Sequence, residues 1–237
     1  MKLEEILKNN SYPGRGIGVG LTPDGENAAM IYFIMGRSVN SRNRVFKEID
    51  GGIKTEAFDP SKLSDPSLVI YNPVRTFGDY KIVTNGDQTD TVYDFLSAGK
   101  SFCDALKTRE FEPDHPNFTP RISALVDTEN DLKATFSILK NSGDGIACDR
   151  FFYFYDSFKK GTGKFISTYK CDGDPLPTFD CEPITIEIGN DINTVAADIY
   201  GALNEENKVS LFVCFKNLKT KKEETVIINK NKKEEKS

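Results

Sequence analysis

Many short strand-like segments and only two helical patterns restrict the folds open to this chain of 237 residues. Roughly a dozen segments are rich in β-branched, aromatic and other apolar residues and are bounded by Gly, Pro, Asn or Asp, which is typical of strands. The apolar residues of 89–106 and 192–203 recur at helical spacing on one face. The sequence therefore predicts two helices, the second with Asp191 near its start.

These one-faced helices decide how the strands must be layered. A single sheet carrying both helices would leave its other face bare, whereas two sheets packed face to face, each with a helix outside, bury every apolar face. We therefore predict an α+β fold: a four-layer α-β-β-α sandwich of two antiparallel-rich sheets with a helix outside each. A β-barrel with peripheral helices is the competing arrangement.

No linker or internal repeat divides the chain, so residues 1–228 are predicted to form a single domain. Residues 229–237 are almost all Lys, Glu and Asn, and such a charged segment is predicted to be a disordered tail. The N-terminus has acids where a signal peptide needs an apolar core, and no apolar run reaches the ~18 residues of a membrane span. We expect a cytoplasmic protein that does not interact with membranes.

Arginine is scarce in this chain, and most of its arginines are predicted to lie in turns. The chain has eight Arg against 23 Lys, and an apolar run at 28–35 is followed by three of them within eight residues, Arg37, Arg42 and Arg44. Six of the eight are predicted in turns marked by Gly, Asn or Pro: Arg15, Arg37, Arg42, Arg44, Arg75 and Arg121. A guanidinium fork suits capture of phosphate or carboxylate. Alternatively, the arginine-rich segment after residue 35 is an ordinary surface loop whose arginines only form salt bridges.

Several kinds of chemistry are disfavoured. The five Cys are widely spaced and lack a Cys-x-x-Cys pair, and His115 is the only His, so we predict reduced thiols and no metal site in the protein itself. Asp and Glu side chains could still hold Mg²⁺ in a substrate complex. A Ser-His-Asp system would have to use His115 in a Pro-bracketed loop, and Lys2 after Met1 provides no N-terminal nucleophile. A sequence pI of about 5.2 argues against nucleic-acid binding.

What remains is a set of turns rich in Arg, Asn and Tyr. This set suits an anionic, polar small molecule such as a nucleotide, and chemistry performed by positioning and electrostatics. The turns are Tyr12-Pro-Gly-Arg-Gly16, Gly36-Arg-Ser38 with Arg42-Asn-Arg44, Tyr71-Asn72 with Arg75, Asn85-Gly86, and Glu112-Pro-Asp with Thr119-Pro-Arg121.

Taken in this order, these motifs resemble the archaeal-type inosine monophosphate (IMP) cyclohydrolase family and its bacterial relatives. The resemblance covers residues 12–123 well. It implies a fold like that of the N-terminal-nucleophile hydrolases without their nucleophile. It also implies the last step of purine synthesis, in which 5-formamidoimidazole-4-carboxamide ribonucleotide closes to IMP and loses water, with no cofactor. The partner would be a small ribonucleotide, and self-association into a homo-oligomer is left open.

The candidate catalytic residues are Glu112, Tyr71 and Arg37. Glu112 lies in a loop stiffened by prolines, where a partly desolvated carboxyl can be tuned towards neutral pKa; alternatively it only pairs with Arg121. Tyr71 ends an apolar segment, and its alternative is core packing. The candidate substrate-binding residues are Arg15, Arg42, Arg44, Asn72, Arg75, Asn85, Gly86, Asp87, Thr119 and Arg121.

Two other functions fit the same turns. One is a purine-nucleotide-binding protein without turnover, and the other is a related amide hydrolase or cyclase acting on another ribonucleotide, because a fold does not determine a substrate.

Overall fold

The computed structural model describes residues 1–63, 66, 68–143 and 145–232. The helices in these ranges are α1 (Leu3–Lys8), α2 (Val39–Arg42), α3 (Gln88–Ser97), α4 (Phe102–Lys107) and α5 (Ile192–Ala202). The strands are β1 (Arg15–Leu21), β2 (Asn27–Met35), β3 (Arg44–Ile49), β4 (Gly52–Ala57), β5 (Val74–Phe77), β6 (Tyr80–Thr84), β7 (Arg121–Asp127), β8 (Lys133–Asn141), β9 (Cys148–Tyr155), β10 (Thr162–Ser167), β11 (Ile184–Glu187), β12 (Lys208–Asn217) and β13 (Glu223–Asn229).

The strands form two antiparallel sheets. The six-stranded sheet has the order β11-β10-β1-β2-β12-β13, and the seven-stranded sheet has the order β3-β4-β5-β6-β7-β8-β9. Every pairing between neighbouring strands is antiparallel. The prediction of an α+β fold built on two antiparallel sheets is confirmed.

Three apolar clusters show how the layers are stacked. The first joins the facing sides of the two sheets, for example Met30 of β2 and Phe136 of β8. The second lies between the outer face of the six-stranded sheet and the helices α1 and α5. The third lies between the outer face of the seven-stranded sheet and the helices α3 and α4. The order of layers is therefore helix, sheet, sheet, helix.

β2 is the central strand of this arrangement, and its composition explains its position. Its residues alternate between the two clusters, with Tyr32 facing the other sheet and Phe33 facing the helices. On β1 the residues opposite the helix-facing positions of β2 are glycines, and a Cβ added to Gly16, opposite Phe33, would lie 2.3 Å from the Phe33 ring. The alternating glycines of β1 therefore leave the space that the large side chains of β2 occupy.

The single helix predicted at 89–106 is wrong, because the structure has two helices there, α3 and α4. Gly99 takes a positive φ of 71°, a conformation that ends helices. The Ser101 hydroxyl then accepts a hydrogen bond from the Asp104 N–H and starts α4. By contrast the second helix is confirmed as α5, with Asp191 as its N-cap, accepting from the Thr194 N–H at 2.7 Å.

The prediction that residues 68–71, one of the strand-like apolar segments, form a strand is also wrong, since the chain there makes a turn. Thr55 of β4 fixes this turn: its hydroxyl donates to the Val69 carbonyl at 2.8 Å and accepts from the Tyr71 N–H at 2.8 Å. At the other end of the chain, Asn229 is the last residue of β13 and Asn231 donates to the Arg42 carbonyl. Residues 233–237 of the predicted tail lie outside the described residues.

Candidate active site

Three buried arginines lie at one end of the sandwich. Arg15, Arg44 and Arg121 are the first residues of β1, β3 and β7. Their exposed fractions are 8%, 0% and 6%. The prediction that these three side chains belong to turns is therefore wrong in detail, because each begins a strand and is buried with it. A buried guanidinium is costly unless it is paired, so their partners define the site.

Glu112 is the carboxylate of this cluster and is 1% exposed. Its Oε2 lies 3.8 Å from Arg15 Nη2, and its Oε1 is buried with no hydrogen-bond partner. Burial raises the pKa of Glu112 to about 6, against the opposing attraction of Arg15 and Arg121. A carboxyl of this kind can both take up and release a proton near neutral pH.

The loop before β7 holds Glu112 in place. The Glu112 N–H donates to the Thr119 carbonyl at 2.9 Å. Asp114 closes the loop by accepting hydrogen bonds from both the N–H and the hydroxyl of Thr119. The Glu112 backbone is thus tied across the loop, which limits the positions open to its side chain.

Arg15 and Arg44 retain unused donors in the buried site. Arg44 donates from Nε to the Ser41 carbonyl at 2.7 Å and from Nη2 to the Met35 carbonyl at 3.2 Å. Its Nη1 and the Nε of Arg15 are buried without partners. Burial lowers the pKa of Arg44. Burial acts in the same direction on Arg15, but Glu112 and nearby tyrosines raise the pKa of Arg15 above its ordinary value.

Four tyrosines line the same region. The hydroxyls of Tyr32 and Tyr71 share a hydrogen bond of 2.8 Å, and burial, followed by the neighbouring Tyr71, raises the pKa of Tyr32. The Tyr169 hydroxyl contacts Thr119 Oγ1 at 2.6 Å, and its ring stacks on Tyr12 with centroids 5.8 Å apart. Burial raises the pKa of Tyr169 to about 12. Polar hydroxyls therefore replace apolar side chains at this end of the core.

Sequence reasoning did not select Tyr32 and Tyr169. Tyr32 could have been found, because it is the single residue of the buried run 28–35 with a polar side chain, and a buried Tyr hydroxyl normally needs a partner. Tyr169 gives no local signal, since it reaches the site through the pairing of β10 with β1.

Arg121 is held by two acceptors at the start of α3. Its Nη1 donates to Asp87 Oδ1 at 2.7 Å and to Gln88 Oε1 at 2.7 Å. Gly86 separates this pair from Glu112: a Cβ there would lie 2.5 Å from Arg121 Nη1 and 3.6 Å from Glu112 Oε1. Asp87 is also bound by Arg109 Nη2 at 2.6 Å. Arg121 therefore approaches Glu112 without a direct hydrogen bond to it.

Both polar atoms of the Asn85 amide have hydrogen-bond partners. Its Nδ2 donates to the Pro120 carbonyl at 2.9 Å, and its Oδ1 accepts from the Ile122 N–H at 2.8 Å. The same Oδ1 accepts from Gln88 Nε2 at 2.9 Å. In this structure the amide joins the Gly86 turn to β7.

Arg37 and Arg42 lie on the surface loop that follows β2. Arg37 is bonded from Nη1 to Asp172 Oδ1 at 2.8 Å and stands 5.1 Å from the centre of the Tyr12 ring. Arg42 donates to the Gly36 carbonyl and to Asn207 Oδ1, each at 2.9 Å. Tyr12 connects the two regions, because one neighbour of its ring is Arg37 and another is Tyr169.

Asn72 and Arg75 contact a different part of the molecule. Arg75 donates to Asp90 Oδ1 of α3 at 2.8 Å and lies 3.5 Å from the Tyr93 ring centre. Asn72 contacts the same carboxylate at 3.4 Å. These contacts are on the helix side of the seven-stranded sheet, so neither residue is seen against the Glu112 cluster.

Two features are absent from the residues that the structure describes. No group of three or more His, Cys, Asp or Glu side chains is arranged to hold a metal ion. None of the helices found there has the length and apolarity to cross a membrane.

The fold and the cluster define a class of protein: an α+β sandwich whose two sheets enclose a polar site with buried guanidinium groups and one buried carboxyl. The family described as IMP cyclohydrolase-like protein matches residues 12–222. This chain belongs to that family.

Archaeal relatives carry the name IMP cyclohydrolase. The protein of Methanopyrus kandleri is 33% identical over 121 residues, which is 50% of this chain and 60% of the relative. A Methanococcus maripaludis protein is 35% identical over 122 residues, 48% of this chain and 58% of the relative. One from Methanosphaera stadtmanae is 30% identical over 125 residues, 51% and 60% of the two chains. The matched region thus spans about three fifths of each relative's length.

Proposed function

We propose that this protein is an IMP cyclohydrolase that closes 5-formamidoimidazole-4-carboxamide ribonucleotide to IMP with loss of water. Membership of the family and the names of the archaeal relatives support the reaction. The observation that carries the proposal is the buried Glu112 carboxyl beside Arg15, with unpaired polar atoms on both residues. Such atoms are costly in a closed core and are useful against a polar substrate.

The reaction needs orientation and proton transfer. The carboxamide nitrogen attacks the formyl carbon of the same molecule, so the protein must hold the reactive rotamer. Orientation of this kind can supply several of the roughly 7–11 kcal/mol available from proximity effects. The formyl oxygen becomes negatively charged as the ring closes, and it must leave as water.

Glu112 is the proposed proton carrier. As a carboxylate it accepts the proton released by the attacking nitrogen. It then returns that proton to the oxygen on the former formyl carbon, which becomes a hydroxyl. Glu112 next takes the proton of the former formamide nitrogen and delivers it to this hydroxyl, so that a carbon–nitrogen double bond forms as the carbon–oxygen bond breaks and water leaves. A pKa of about 6 leaves both forms of Glu112 accessible near neutral pH, and general acid–base catalysis of this kind typically contributes 10²–10⁴-fold.

The guanidinium groups supply the opposite charge. The free Arg15 Nε and Arg44 Nη1 donate to the developing oxyanion, an arrangement that acts strongly where water is excluded. Tyr71, through its bond to Tyr32, orients the base. Arg37, Arg42 and the other predicted binding residues near the cluster contact the ribose and phosphate.

Three finer expectations belong to the same proposal. The sandwich resembles the N-terminal-nucleophile hydrolase fold, the reaction proceeds without a metal ion, and the protein acts in the cytoplasm. Assay with and without a chelator tests the second: activity that is abolished by chelation and restored by a divalent ion would contradict it. Cell fractionation tests the third.

The central experiment is to supply the purified chain with the formylated ribonucleotide and follow IMP formation. Glu112→Gln keeps the shape of the side chain and removes its proton chemistry, so kcat should fall by about a hundredfold while nucleotide binding persists. Glu110→Gln is the matched control, since this carboxylate lies two residues away with a side chain 63% exposed.

The outcomes separate the alternatives. Binding of purine nucleotides without turnover by the wild-type protein would identify a nucleotide-binding protein. Absence of both binding and turnover would favour a related amide hydrolase or cyclase that acts on another ribonucleotide. Turnover that is normal in Glu112→Gln would keep the cyclohydrolase function but make Glu112 a structural residue.

A further inference from the structure

β9 forms one outer edge of the seven-stranded sheet and differs from an ordinary edge strand. Its eight residues pair with β8 on one side only. Five consecutive residues, 151–155, are aromatic. Phe151 is 38% exposed and Phe154 is 65% exposed. β9 contains neither Pro nor Lys, the residues that commonly protect such an edge from pairing.

Two of the other sheet edges in the described residues have covers. At β3 the Asn229 side chain accepts from the Phe46 N–H at 2.8 Å and donates to the Phe46 carbonyl at 3.0 Å. At β11 the Glu187 N–H donates to the Met1 carbonyl at 3.0 Å. Among described residues, no backbone hydrogen bond reaches β9 from outside its pairing with β8. A long aromatic strand with an open edge is a template for strand addition.

We propose that β9 pairs with β9 of a second copy of this chain, so that two seven-stranded sheets become continuous across a two-fold axis. A two-fold contact uses the same patch on both molecules, so the strand must be complementary to itself. In an antiparallel pair the residues directly opposite each other lie on the same face of the sheet. The pairing is therefore restricted to registers in which odd-numbered residues lie opposite odd-numbered residues and even-numbered residues lie opposite even-numbered ones.

The register centred on Tyr153 gives the best self-complementarity. It sets Phe152 opposite the second copy's residue 154 and Phe151 opposite its residue 155, so both exposed phenylalanines meet aromatic rings. It also sets Arg150 opposite the acidic residue 156 that follows the strand. Within its own chain Arg150 donates to the Arg109 carbonyl at 2.9 Å and lies 3.7 Å from Glu110 Oε1, so residue 156 would be an additional partner. Because the axis repeats every pair, the contact contains two arginine–aspartate pairs. Charge complementarity therefore favours a second copy over an unrelated strand.

The experiment measures the mass of the full chain in solution by sedimentation equilibrium over a range of concentrations. The wild-type protein should be a reversible dimer. Phe154→Lys places a charge in the centre of the contact and should give a monomer. Asp156→Lys opposes Arg150 with a like charge and should weaken the dimer. Val39→Lys changes another exposed apolar residue, 71% exposed in α2, and should leave the dimer intact.

Hydrogen exchange identifies the contact itself. Amides of 148–155 should exchange more slowly in the wild-type dimer than in the Phe154→Lys monomer. A monomer at the highest attainable concentration would overturn the proposal. A dimer that survives both charged variants, or one whose β9 amides exchange as fast as those of the monomer, would overturn it too. The test is independent of the proposed reaction.

Discussion

Glu112→Gln should change how the stability of the protein depends on pH. The folded-state pKa of Glu112 is about 6 and the ordinary value is 4.5, so folding favours the protonated form. Its contribution to stability is fully present below the ordinary value and is lost as the pH rises through about 6. The difference of about 1.5 units corresponds to about 2 kcal/mol. The glutamine side chain cannot ionise, so the free energy of unfolding of the variant does not fall in this way as the pH rises.

The assay is denaturant unfolding of wild-type protein and variant at about pH 4 and about pH 8, followed by comparison of the two free-energy differences. The wild type should lose about 2 kcal/mol relative to Glu112→Gln over this interval. Glu110→Gln controls for removal of one negative charge from the same segment. A difference between wild type and Glu112→Gln that stays constant with pH, or that changes in the opposite direction, would refute the assignment of a raised pKa to this buried carboxyl.

Three other predictions follow from the site. Arg15→Lys should lower kcat/KM about tenfold to a hundredfold, because a hydrogen bond to a charged group is worth about 1.5–3 kcal/mol; a change within about twofold would remove Arg15 from the site. Gly86→Ala puts a methyl group 2.5 Å from Arg121 Nη1 and should impair turnover, whereas Gly201→Ala, which meets nothing, should stabilise α5 by up to about 1 kcal/mol. Replacing all five cysteines by Ser or Ala should preserve turnover and cost stability at buried Cys214; a folded variant that binds nucleotide without turnover would indicate a thiol nucleophile.

The fold could be predicted from sequence where one periodicity extended over a whole element. The helix α5 and its cap agree with the prediction because apolar spacing and a capping Asp act locally. The helix predicted across 98–101 is wrong because apolar spacing continues through Gly99, whose positive φ breaks the backbone without changing the pattern.

The candidate site could be predicted less well, because it depends on the face that each residue takes. Asn72 and Arg75 belong to a motif that includes Tyr71, but Val74 of β5 faces the other sheet and Arg75 faces α3. A shift of one residue along a strand reverses the face, and no local pattern decides which face holds the site. Tyr169 likewise depends on a strand pairing that spans most of the chain.

Arg15 and Tyr32 come from the six-stranded sheet, whereas Arg44 and Arg121 come from the seven-stranded sheet, so neither sheet alone contains the cluster. Contacts between residues so distant in the chain form late, since the loops that join them must close first. During refolding, the circular dichroism of the strands should therefore recover before the ability to turn over substrate. The lag before IMP formation begins during refolding would therefore report how long the two sheets take to pack together. A variant that slows this packing would lengthen the lag.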